Sequence, residues 1–207
     1  MRAVNKLLCC CILLMVFIIS GCGAATQATQ PPRVVHKPSS TVLASSTWGV
    51  KPTTTPSVAS PAHLVIPTIG VNAPVESVGI QSNGDLGIPQ QNPWEGVGWY
   101  KNGPRPGEAG SAVIDGHLDR PGGYPAVFWD LRKMNVGDSV MIVDAGGKTI
   151  HFRVTRVASY PPQDAPVQEI FGDSGGTYLN LITCAGTWIP SQHQTTLRMV
   201  VYTTLAD

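Results

Sequence analysis

The chain has 207 residues, enough for one domain of ordinary size and a tail. With 22 Gly, 18 Pro and only 13% charged residues, it has the composition of a globular protein rich in turns. All 13 acids lie at or after Glu76, and from His63 onward only nine Lys or Arg stand against them, a net charge of −4 that argues against nucleic acid as a partner.

The N-terminus carries Arg2 and Lys6, a 13-residue apolar run from Leu7 to Ile19, and then Ile19-Ser20-Gly21-Cys22. A basic start, a short apolar core and small residues before a cut site make a secretory signal over residues 1–22. A spanning helix wants about 20 apolar residues. Two tethers fit this pattern. In one, the Ile-Ser-Gly-Cys end, which resembles a bacterial lipobox, leaves Cys22 lipidated. In the other, the segment stays uncleaved as a signal anchor. Both place the remainder of the chain outside the cytoplasm and tie it to a membrane.

Residues 23–62 are mostly Thr, Ser, Ala and Pro, with Pro31, Pro32, Pro38, Pro52, Pro56 and Pro61. Such a stretch buries too little apolar surface to offset its ordering entropy and reads as a linker. About 40 residues of this kind reach on the order of 35 Å. Trp48 does not fit this reading.

From residue 63 to 207, short alternating runs are bounded by Gly, Pro, Asn and Asp. The predicted strands are Leu64–Ile66, Ala73–Val78, Val97–Tyr100, Ser111–Ile114, Ser139–Val143, Thr149–Val157, Tyr178–Cys184 and Thr196–Thr203. Turn chemistry stands at Asn83-Gly84-Asp85 and at Ala145-Gly146-Gly147. Between Pro125 and Met134, Val127, Phe128, Leu131 and Met134 recur at helical spacing, which predicts a short helical insertion there. The expectation is an all-β barrel or sandwich with one helical insertion.

Cysteine usage narrows the chemistry. Cys9, Cys10 and Cys11 fall inside the apolar run and Cys22 at its end, so the exported part keeps one thiol, Cys184. A lone thiol outside the cytoplasm is open to oxidation; it is either buried and inert or retained for its reactivity. Cys184 stands where a strand meets the Gly-containing loop Ala185 to Gln194, a place that combines rigidity with access. A thiol at its free pKa is mostly protonated at neutral pH and needs a base or a positive field to act as a nucleophile.

Two histidines compete for the role of base. His117 follows the predicted strand Ser111–Ile114 in Asp115-Gly116-His117-Leu118-Asp119, with Asp119 placed to orient it. His193 lies in the loop after Cys184. His117 and Asp119 lack a third ligand nearby, so no metal is expected, and no cofactor is implied. If the last two strands form a hairpin, Arg198 returns beside Cys184. A strand Arg on its own is as readily solvent-facing; beside the thiol it becomes a donor to an oxyanion.

Gly116-His117-x-Asp119, Thr183-Cys184 at a strand end and Arg198 in the final strand, in that order, resemble the sortases. The similarity runs over most of 63–207. It takes in Ile66-Pro67-Thr68-Ile69-Gly70-Val71, Ala126-Val127-Phe128, Gly137-Asp138 and Leu181-Ile182-Thr183-Cys184-Ala185-Gly186, and is greatest with the class labelled F. The resemblance implies an eight-stranded closed barrel, with Cys184 as nucleophile, His117 as proton carrier, Arg198 as oxyanion stabiliser, and Asp119 and Thr183 in support. It implies that Pro161 to Gly172 lies near the groove for the substrate. The implied reaction is cleavage of a Leu-Pro-x-Thr-Gly-like sorting signal through a thioester, followed by transfer of the secreted protein to an amine of a cell-wall precursor or another acceptor.

Two other readings stay in view. L,D-transpeptidases are also β-rich Cys-His wall enzymes, but they carry an Arg two residues after the Cys, where this chain has Gly186. A lipoprotein binding module that kept the barrel and lost catalysis is the non-enzymatic alternative.

Overall fold

The computed structural model describes residues 58–206. The apolar run Leu7–Ile19, Cys22 and the Pro-rich stretch up to residue 57 lie outside the described residues, so the expectations placed on them are not addressed. No helix among the described residues is long and apolar enough to cross a membrane.

Eight strands close into one barrel. In chain order they are β1 (Pro61–Ile66), β2 (Val71–Val78), β3 (Val97–Tyr100), β4 (Gly110–Asp115), β7 (Ser139–Asp144), β8 (Thr149–Tyr160), β9 (Thr177–Ile189) and β10 (Gln194–Leu205), with a separate two-stranded ribbon of β5 (Asp119–Arg120) and β6 (Tyr124–Pro125). Around the barrel the order is β1-β2-β3-β4-β9-β10-β8-β7. The β2–β3 and β4–β9 pairs are parallel and the others antiparallel. Each of the eight predicted strands is present. The first begins at Pro61, and Val58 packs against the core, so the last residues assigned to the linker belong to the barrel.

Period-2 alternation decides which side chains fill the barrel. Leu64, Ile66, Ala112, Ile114, Val140, Ile142, Phe152, Val154, Leu179, Leu181 and Val201 point inward and are buried. Their neighbours Val113, Val200 and Tyr202 point outward and form a second, smaller core with Ile170. Ile170 belongs to the one α-helix among the described residues, α1 (Val167–Gly172), which lies on the outer face of the sheet. Buried Asn180 of β9 donates from Nδ2 to the Ile170 carbonyl at 2.7 Å, and Arg156 of β8 pairs with Glu169, so α1 is fastened to the sheet from both sides.

The helical insertion is therefore not where the sequence spacing placed it. Residues 125–134 form successive tight turns, with Trp129 bonding back to Ala126, Leu131 to Phe128 and Met134 to Leu131, and a 3₁₀ turn at Leu131–Lys133. The apolar residues do share a face, and Phe128 and Leu131 plug the barrel. Each of the turn bonds reaches back only three residues, the 3₁₀ pattern, while Val127 N–H bonds to the Trp94 carbonyl and Phe128 N–H to the His117 carbonyl, which fixes the segment to its neighbours. Phe128 is fully buried, so Phe128→Ala is expected to cost about 3–5 kcal/mol. Chemical denaturation followed by circular dichroism measures that loss.

Candidate active site

Cys184 lies on β9 directly opposite Arg198 on β10, its register partner across the antiparallel pair. The hairpin expected from the sequence is present but tighter. Most of the supposed ten-residue loop is strand, and only a turn around Pro190–Gln192 separates β9 from β10. A bulge shifts the register between Thr195 and Leu197, opposite Ala185. Gly186 has φ 78°, a left-handed conformation that L side chains seldom adopt, so the strand can bend just after the thiol.

His117 leaves the end of β4, the neighbour of β9 on its other side. Buried Thr183 secures that junction: its Oγ1 donates to the Gly116 carbonyl at 2.8 Å, and Gly116 N–H bonds to the Ile182 carbonyl. Gly116 itself admits no side chain, since a Cβ there would stand 2.7 Å from Phe128 and 2.8 Å from Val127. Trp94 packs on the imidazole with ring centroids 5.0 Å apart. Burial pushes the His117 pKa below its usual range, while the negative charge of Asp119 works in the opposite direction. Its Nε2 is buried and has no hydrogen-bond partner.

Arg198 is half-buried and held from one end. Nη1 donates to Thr195 Oγ1 at 2.9 Å, to the Leu197 carbonyl at 3.1 Å and to the Thr195 carbonyl at 3.4 Å. No carboxylate among the described residues forms a salt bridge with it.

Cys184, His117 and Arg198 line one groove of about 320 Å³ on the outer face of the barrel. Its walls are largely apolar: Leu86 and Ile88 on one side, Ala165, Val167, Ile170 and Phe171 on the other, Ile182 and Val200 in the floor. The segment Pro161 to Gly172 thus borders this groove. A second depression of about 450 Å³ also has Cys184 in its wall, with Asp119, Trp129, Arg132, Ser159 and Leu197 among others. The thiol is partly exposed between the two.

His193, the competing base, occupies the left-handed end of the Pro190–Gln192 turn with φ 51° and lines neither groove. Among the described residues no cluster of three metal-ligating side chains occurs.

The sequence reading missed Asp115. It forms part of the same groove, two residues before His117, and its Oδ1 is buried without a partner. Burial pushes its carboxyl up to about 7. Its folded-state pKa lies above the unfolded one, so the native state holds the proton more tightly. Its destabilising effect is absent below the ordinary carboxylate range and complete above about pH 7. Asp115→Asn removes that titration. The variant is expected to gain stability relative to the parent between pH 5 and pH 8, by about 1–3 kcal/mol, as read from urea denaturation at the two pH values.

A family model described as Sortase domain matches residues 64–206. The chain belongs to the sortase family. Among solved structures, it is similar to sortase A from Corynebacterium diphtheriae, at 21% identity and a TM-score of 0.56 over 72% of this chain and 62% of that one. It is similar to sortase C1 of group B Streptococcus pilus island 1, at 24% identity and a TM-score of 0.55, over 70% of this chain and 63% of that one. A sortase C1 from Streptococcus suis gives 22% identity and a TM-score of 0.56, over 72% of this chain and 74% of that one. The chain thus spans less than two thirds of the length of the first two. No curated protein sequence matches it. The closed eight-stranded barrel is the sortase fold, as the sequence motifs implied.

Proposed function

We propose that this sortase is a cysteine transpeptidase that cleaves a Leu-Pro-x-Thr-Gly-like sorting signal and transfers the acyl part to an amine of the cell wall, acting outside the cytoplasm from an N-terminal membrane tether. The observation that carries the reading is the convergence of a lone thiol, an imidazole and a guanidinium from three adjacent strands on one apolar-walled groove. The likeness to class F rests on the sequence motifs alone.

In this reaction Cys184 Sγ attacks the carbonyl carbon of the residue before the cleaved bond. A carbon–sulfur bond forms, and the carbonyl oxygen takes up negative charge. Arg198, whose guanidinium has no carboxylate partner, supplies charge-assisted hydrogen bonds to that oxygen. The carbon–nitrogen bond then breaks, and the leaving amine takes the proton that His117 received from the thiol. In the second half an incoming amine attacks the thioester, His117 removes its proton, and that proton returns to the departing sulfur. The thioester conserves the free energy of the peptide bond, so no nucleotide is consumed. Desolvation that keeps the imidazole free of a proton suits a group that must accept one before it donates it. Asp119 favours the protonated intermediate state of the ring.

Having two approaches to one sulfur suits a ping-pong reaction. The apolar groove takes the sorting peptide, and the more polar depression beside Asp119 and Arg132 admits the amine. The test is to incubate the protein with a Leu-Pro-x-Thr-Gly peptide and an amine such as triglycine, and to identify the products by mass spectrometry. The expected product joins the peptide, cut after Thr, to the amine. Cleavage without any transfer product at high amine concentration, or cleavage that survives alkylation of Cys184, contradicts the proposal.

A further inference from the structure

A further groove of about 330 Å³ adjoins the depression that has Cys184 in its wall, and the reaction described above gives it no role. Its walls come from the start of β2, from Trp94 and Glu95, from Arg120, and from the turns between Pro125 and Asp130. Trp129 lines both hollows, so they meet at one indole.

Two indoles face this groove, and each already packs against a neighbour. His117 lies on Trp94 with ring centroids 5.0 Å apart, and the Arg132 guanidinium stands 4.9 Å from the centre of the Trp129 ring. Neither neighbour lines the groove, and both indoles are only half-buried, so the groove meets the remaining surface of each ring. Among the aromatics stand planar polar groups: Asn72, Glu95, Arg120 and Asp130. Their charges are cancelled. Glu95 Oε1 lies 3.1 Å from Arg120 Nη1, and Lys133 Nζ donates to Asp130 Oδ2 at 2.9 Å. With its charges paired, the groove has little field to hold an ion. With so many polar groups, it is a poor seat for a plain apolar chain. One acceptor is left over: Asp130 Oδ1 is buried and has no hydrogen-bond partner, so a ligand carrying a donor would satisfy it.

The ligand that fits is uncharged, lays flat C–H faces on indole, and meets planar side chains with a rim of hydroxyls and amides. A hexopyranose has that chemistry. An acetamido group adds an N–H donor and a methyl suited to the apolar wall of Ile69, Ala126 and Val127. We propose that this groove is a saccharide subsite that binds the N-acetylhexosamine glycan of the wall, and so brings a peptide amine carried by that glycan into the depression beside Cys184. The indole common to the two hollows supplies the continuity. An amine held through its glycan gains effective concentration at the thioester, and water gains nothing, so occupancy favours transfer over hydrolysis. This inference rests on the reading in which a wall amine accepts the acyl group.

The test uses the full chain without peptide or amine, so that no chemistry takes part. Triacetylchitotriose and maltotriose are titrated separately, and binding is followed by saturation-transfer NMR and indole fluorescence. Chitotriose is expected to bind at least about fivefold more tightly than maltotriose, whose rings lack the acetamido group. Trp129→Leu keeps the apolar bulk and removes the flat ring, and should weaken chitotriose about tenfold. Asp130→Ala should weaken it about tenfold as well. Asp130→Asn keeps the oxygen acceptor and gives up the ion pair with Lys133, and should stay within about twofold of the parent. Circular dichroism verifies that each variant is folded, and the two Asp130 variants carry the test if Trp129→Leu is not. No binding of chitotriose, equal binding of maltotriose, unchanged affinity in Trp129→Leu, or an Asn variant as weak as the Ala variant overturns the proposal. Because no acylation is measured, failure of the transfer reaction would count against the transpeptidase reading and leave a measured saccharide site standing.

Discussion

Replacing Cys184 with Ala is expected to abolish acyl-enzyme formation and to lower peptide cleavage by at least about 10⁴-fold, while the barrel stays folded. The size follows from the role. A covalent nucleophile cannot be replaced by solvent in the same geometry, and what remains is binding and electrostatic stabilisation alone. Stability should hold because the thiol is partly exposed and contributes little to either core. Parallel assays of peptide cleavage and thermal unfolding check both halves. A variant that cleaves at a comparable rate removes Cys184 from the chemistry; one that unfolds makes the thiol a structural group.

Arg198→Lys is expected to lower kcat by about 10²-fold with a smaller change in KM. The charge survives the substitution, but the geometry does not. In the parent, Nη1 is committed to Thr195 and Leu197, and the planar fork lets the remaining N–H groups project from a fixed base. A Lys has three donors on a flexible stem and cannot satisfy Thr195 and aim at an oxyanion at once. Thr195→Val should show a milder form of the same defect, since it loosens the anchor and leaves the guanidinium in place. Steady-state kinetics on both variants separate kcat from KM. An unchanged kcat in the Lys variant would make Arg198 a substrate-binding or structural cation.

Most of the barrel is legible because strand alternation is a local signal. The bounds of Val97–Tyr100 are legible from four residues and their flanks. On β10, Val200 and Tyr202 lie in the outer cluster with Met199 and Val201 turned to the inner one, as strand alternation requires. The end of β9 is not legible beyond Cys184, because Thr187 and Trp188 are exposed on a hairpin that bulges and no burial pattern marks it as strand. The six residues of α1 are too few to show a period, and their start is obscured by Pro161, Pro162 and Pro166. The apolar face of 125–134 is legible and its conformation is not, since the same spacing serves an α-helix and a run of three-residue turns.

The candidate site divides in the same way. Cys184 stands out as the one thiol beyond the N-terminal segment, and Arg198 as the one Lys or Arg after Arg156. The choice between His117 and His193 needed the resemblance, because both follow apolar strands and only the third dimension places one beside the groove and the other at an exposed turn. Asp115 was invisible for a physical reason. An Asp before a Gly reads as a turn residue, and nothing local reveals that Gly98, 17 positions earlier, leaves a gap for its carboxyl.

The most direct measurement is the intact mass of the protein, quenched in acid seconds after mixing with a Leu-Pro-x-Thr-Gly peptide in the absence of amine. A mass increase equal to the fragment ending in Thr is predicted, carried by the tryptic peptide that contains Cys184 and released by neutral hydroxylamine as a thioester must be. Peptide turnover with no adduct on Cys184, or an adduct that hydroxylamine leaves intact, would contradict it.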